Sequence, residues 1–128
     1  VTAYKGAARL LTNPDLLEAA AGILAVEGYH AGAIRAQLLA MSEEFVYPYG
    51  APGKAIVAAI SALRAAVSGA KDDQGILSSN GSYIIAPADA SAVAFSRNTS
   101  QVLNIVFLGG IGKGGFFPNG IMGAITTQ

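Results

Sequence analysis

The sequence has no cysteine, a single histidine and little charge. Without cysteine there are no disulfides and no thiolate metal sites. With one imidazole, His30, no Ser-His-Asp arrangement remains once that residue is assigned below. Charged residues are 12% of the chain, against roughly 25% in an ordinary soluble domain. Eight basic and eight acidic residues cancel. Without a basic cluster to neutralise phosphates, a nucleic-acid role is excluded. Also missing is any run of the ~20 apolar residues that a membrane-spanning helix needs. Glu27, His30 and Arg35 interrupt the best candidate, and Lys54, Ser61 and Arg64 interrupt the next. No methionine opens the chain and no signal peptide is legible. Val1 falls inside what reads as structured sequence, so the chain reads as processed or incomplete.

What the chain does have is hydrocarbon. Apolar residues make up 52% of its 128 positions, one domain's worth of chain, and the mean hydropathy is positive. A small domain has much surface for its volume. This one has too little polar material to cover it, so it either buries surface against a partner or belongs to a longer chain.

The opening "VTAYKGAARLL" reads as the tail of a helix weakened by Gly6. "TNPD" then starts a second helix, with Thr12 or Asn13 as N-cap, Pro14 in the first turn and Asp15 at the positive end of the dipole. This long helix is expected to run from about Pro14 to about Ser42. Its apolar seam follows Leu16, Ala20, Ile23, Ala31, Ile34, Leu38 and Met41, with Glu27 at the centre of the stripe and His30 to one side. Glu18 falls on the opposite, solvated side, and Tyr29 points away from the stripe. "FVYPYGAPG" is a loop. A further helix follows from about Lys54 to Ser68, with Gly69 as C-cap and a stripe of Ile56, Ile60, Leu63 and Val67. Residues 71–128 form a loop-rich extension after the helical segment 1–70. In it, "SYII" is extended, "PADASAVAF" makes a helical turn, and Thr99 or Ser100 caps a short helix over "QVLNIVFLGG". The Gly-rich tail lies irregularly over the helices, anchored by Phe116 and Phe117.

Glu27 and His30 form a Glu-x-x-His pair. The spacing sets both side chains on one face, one turn apart, where they can share a metal. A buried carboxylate without a partner costs several kcal/mol, and a cation would explain one in mid-seam. Carboxylate with imidazole suits iron, manganese or zinc alike. The alternatives are a hydrogen-bonded Glu–His pair, or a glutamate satisfied by Arg or Tyr from a neighbouring helix. "GGIGKGG" lacks the Ser or Thr that follows the lysine of a phosphate-binding loop, so Lys113 marks no nucleotide site. Asp72 and Asp73 read as a solvated charge pair. Asn80 ("NGS") and Asn98 ("NTS") head glycosylation tripeptides. Use of either would mean passage through a secretory pathway, to the exterior or a vacuole.

The stretch "VTAYKGAARLLTNPDLLEAAAGILAVEGYHAGAIR" resembles the latter half of the ferritin-like domain of the desiccation-related proteins of plants and algae, which have bacterial and fungal relatives. "PADASAVAFSRNTSQVLNIVFL" and "GGFFPNG" resemble that family's C-terminal extension. The resemblance implies an all-α fold: part of a ferritin-like four-helix bundle, with one long helix, a second helix and an extension carrying a short one. It makes Glu27 and His30 the last-helix ligands of a di-iron or di-manganese site. It also implies a departure, because the first two ligand-bearing helices have no counterpart and the third enters only at its tail. This chain then offers at most two ligands, half or less of such a site. The missing helices would come from the absent N-terminal half, from a second copy or from a larger assembly. The family's activity is not settled. The expected function is therefore a stress-related, non-catalytic structural or protein-binding subunit, and the alternative is a metal- or oxygen-handling protein when the whole bundle is present.

Overall fold

A computed structural model describes residues 1–70 and 73–125. Helix α1 spans Thr2–Ala8 and helix α2 spans Pro14–Ala40. The start of α2 is set by Asn13, whose Oδ1 accepts from the backbone N–H groups of Asp15 at 2.8 Å and Leu16 at 3.3 Å. Two donors that the first turn leaves without helical partners are thereby satisfied, and Pro14 costs nothing there because it has no N–H to satisfy. Helix α3 follows at Gly53–Ser68 and ends on Gly69, which takes a left-handed φ of 69° as the helix C-cap. Helix α4 spans Thr99–Val106.

The fold is mostly helical but not all-α. The segment expected as a plain loop contains strands β1, Phe45–Val46, and β2, Ala51–Pro52, paired antiparallel. Pro48 and Gly50 turn the chain back on itself, and the Gly50 N–H donates to the Val46 carbonyl at 3.1 Å. The two hydrophobic residues entering the turn thus find a short ladder instead of open coil.

Local structure in the extension also differs from expectation. The α4 cap is Asn98, not Thr99 or Ser100. It makes a capping box in which Asn98 Oδ1 accepts from Gln101 N, and Gln101 Oε1 accepts from Asn98 N, both at 2.9 Å. The stretch expected as a helical turn around Asp89 is a nonhelical turn, because the Asp89 side chain captures the N–H groups of Ser91 and Val93. "SYII" is extended only in part: Tyr83 bridges Leu77, and Ile84 N–H donates to the Ile76 carbonyl.

The buried hydrophobic core among the described residues is Ile76, Leu103 and Phe107. The tail closes over the end of α4, with Phe116 N–H donating to the Val106 carbonyl and Gly110 N–H to that of Phe107. The aromatic anchor is Phe107 rather than the expected pair. Phe116 is exposed, and the half-covered Phe117 meets Phe107 edge-on at 6.3 Å.

Helices α2 and α3 both turn unexpected faces inward. In α3 the buried residues are Gly53, Ser61 and Ser68; of the anticipated stripe Ile56 and Val67 are half-buried, while Ile60 and Leu63 are exposed. In α2 no residue is buried. Its partly covered side follows Ala20, Leu24, Ala31, Arg35 and Leu39. At ~100° per residue this lies roughly a fifth of a turn from the seam through Ile23, Glu27, Ile34 and Leu38. Ala20 and Ala31 belong to both faces, and Arg35 adds a polar tie from the covered side to the extension.

Candidate functional site

Helix α2 carries Glu27 and His30 three residues apart on its uncovered side, and both are exposed. Neither makes a hydrogen bond or ion pair among the described residues, so the two do not pair with each other within this chain. No group of three or more His, Cys, Asp or Glu side chains converges there among the described residues. One carboxylate and one imidazole cannot complete the four or more ligands that zinc, iron or manganese takes. The donor set of this chain by itself therefore does not fit a resident binuclear centre. Glu27 does precede Ala31 and Arg35 at i, i+4 and i+8, a row that leads directly into the polar centre of the molecule.

That centre was not foreseen. Asp73, expected in solvent beside Asp72, has a side chain only 2% exposed; Asp72 itself lies outside the described residues. Asp73 Oδ1 accepts from Ser61 Oγ at 2.6 Å, and Oδ2 accepts from Arg64 Nε at 2.6 Å and Arg97 Nη2 at 3.0 Å. Arg97 in turn donates from Nη1 to Thr2 Oγ1 at 2.9 Å, and its backbone N–H donates to the Thr2 carbonyl at 3.0 Å. Lys5 Nζ donates to the Ala94 carbonyl alongside. A carboxylate inside an apolar fold requires this degree of saturation. The legible signal was Ser61 with Arg64, two polar side chains at i, i+3 in the middle of a largely apolar helix.

Arg35 forms the second part of the centre. Its Nε donates to the Ile84 carbonyl at 3.0 Å, Nη1 to that of Gln74 at 3.1 Å, and Nη2 to those of Gly75 and Ile84. Burial lowers its pKa from the ordinary guanidinium value, the Asp73 carboxylate opposes that shift, and Arg64 adds to it. The guanidinium thus holds the extension against α2 through backbone carbonyls alone.

Between α1, α2, α4 and the extension lies a half-open cavity of about 360 Å³. Its walls are mainly apolar, including Ala31, Phe95, Val102 and Ile105, while Arg35, Arg64, Arg97 and Asp73 supply its polar side.

Both glycosylation candidates are on the surface. Asn80 Oδ1 accepts from Ser82 N–H at 3.1 Å and from Ser78 Oγ, and Asn98 Oδ1 serves the α4 cap. In each case the oxygen is engaged, while the amide nitrogen that would carry a glycan makes no hydrogen bond among the described residues.

Residues 1–40 match the family model of a ferritin-like domain. The match covers α1 and α2, including Glu27 and His30, and stops before the ribbon, α3 and the extension. No curated protein and no solved structure matches the chain. No helix among the described residues is long and apolar enough to cross a membrane.

Proposed function

We propose that this chain is a structural, protein-binding part of a ferritin-like assembly of the desiccation-related kind, without catalysis of its own. One observation carries the reading. A helix of 27 residues, rich in Leu, Ile, Val and Ala, has no buried position, and Leu16, Ile23, Val26, Ile34 and Leu38 are exposed along it. A helix with apolar residues around its circumference is a buried helix. The ferritin-like match over α1 and α2, together with the resemblance in the extension, supports helices of the same bundle as the cover. The outward Ile60 and Leu63 of α3 enlarge the same demand.

Sedimentation of the chain with Ile23→Glu and Ile34→Glu tests this. The unaltered chain sediments as an assembly, and the double variant disperses with unchanged helix content. An unaltered chain that stays monomeric at all concentrations overturns the proposal.

A second reading is favoured by the exposure of Glu27 and His30 on the uncovered side of α2. When partner helices bring further carboxylates, these two side chains contribute to a shared iron or manganese site. Metal analysis of the assembled protein, with and without Glu27→Ala, decides it. Metal that is absent from the assembly, or retained in the variant, removes the reading.

A further inference from the structure

The cavity between α1, α2 and α4 belongs to neither reading above. Its volume of about 360 Å³ falls in the roughly 300–1,000 Å³ of small-molecule sites, whose usual form is apolar walls with a few convergent polar groups. A purely apolar guest would leave its charged side unused.

Charge decides the class of ligand. Asp73 is already saturated by Ser61, Arg64 and Arg97, so it has little capacity to recruit a cation. Among the described residues Arg35 donates only to backbone carbonyls, whose dipoles satisfy its hydrogens without cancelling its charge. Arg64 is engaged with Asp73 along its Nε–Nη2 edge, and its side chain is 46% exposed. Its Nη1 has no acceptor among the described residues. A guanidinium at the rim of an apolar cavity, with a nitrogen that has no acceptor among the described residues, suits a carboxylate, which it holds by charge-assisted hydrogen bonds.

We infer that this cavity binds a small organic carboxylate with a short hydrocarbon body. The carboxylate meets Nη1 of Arg64, in the field of Arg35. The hydrocarbon lies against Ala31, Phe95, Val102 and Ile105. A bare inorganic anion gains the charge but not the walls, and a neutral alcohol gains the walls but not the charge.

Titration of the full chain with octanoate, octanol and inorganic phosphate, followed by amide NMR, tests the assignment. Octanoate shifts the amides of Ala31, Phe95 and Val102 and binds about tenfold more tightly than octanol, the worth of one hydrogen bond to a charged group. Phosphate binds more weakly than octanoate. Ala31→Phe fills the cavity from α2, where the side chain is not part of the Asp73 network, and abolishes octanoate binding in a folded chain. Arg64→Gln removes the margin over octanol. Equal affinity for octanoate and octanol overturns the inference, as does no binding by either, or octanoate binding that survives Ala31→Phe.

Discussion

Arg97 Nη2 lies 3.0 Å from Asp73 Oδ2, with the arginine side chain 5% exposed and the aspartate side chain 2%. Lys54 Nζ and Glu43 Oε1 are closer, at 2.6 Å, but on the surface. Burial rather than distance separates the two pairs energetically. Asp73→Ala removes the buried acceptor shared by Ser61, Arg64 and Arg97 and is expected to cost about 3 kcal/mol. Glu43→Ala leaves Lys54 in water and costs less than about 1 kcal/mol. Urea unfolding of the two variants checks the contrast, and equal losses would contradict it.

Gly6 and Gly22 are both helical glycines, with opposite expected responses to alanine. A Cβ on Gly6 would sit 1.8 Å from the Arg97 carbonyl oxygen, whereas one on Gly22 meets nothing within 4 Å. Gly22→Ala should raise helix stability by about 0.5–1 kcal/mol. Gly6→Ala should push α1 away from residues 94–97. Loss of hydrogen-exchange protection at the Arg97 amide, which donates to the Thr2 carbonyl, is the readout.

Asn98→Ala removes the α4 cap and should cost about 1 kcal/mol. Thr99→Ala and Ser100→Ala, one and two positions later, should change stability far less, because neither hydroxyl caps the helix. Thermal melts of the three variants distinguish the cap observed from the caps expected.

Hydrogen bonds from the Val93 and Ser91 N–H groups hold the Asp89 carboxyl below its ordinary pKa of 3.8. A depressed folded pKa means that the carboxylate's contribution is fully present above the unfolded value and is lost as pH falls through the folded one. The turn over 89–93 should therefore persist at pH 5 and open only below about pH 4. The Ser91 and Val93 amide shifts follow it directly, and Asp89→Asn should remove the pH dependence.

The start of α2 and the end of α3 were legible because they are written in local chemistry. Asn13 with Pro14 starts α2, and Gly69 ends α3, each through backbone groups within a few residues. Which face turns inward was not legible, since it depends on partners far along the chain. The hydrophobic period put Ile60 and Leu63 inside, but Ser61 is drawn in by Asp73, twelve positions on. Arg35 likewise reaches carbonyls 39 to 49 positions away, and nothing near it in sequence announces them. Glu27 and His30 could be singled out by spacing alone. Their exposure could not, because it reflects what covers α2 and not what composes it.

Thr2 and Arg97 are joined by two hydrogen bonds across 95 positions. Contacts that distant form late in folding, after the cost of closing the intervening loop has been met. A nascent chain lengthens by roughly 5–20 residues per second. Helix α1 thus emerges from the ribosome on the order of 5–20 seconds before the segment that secures it, and α2 is completed within that interval, ahead of the carbonyls that Arg35 will hold. During that interval neither α1 nor α2 has the extension to pack against, and the Thr2–Arg97 pair cannot yet form.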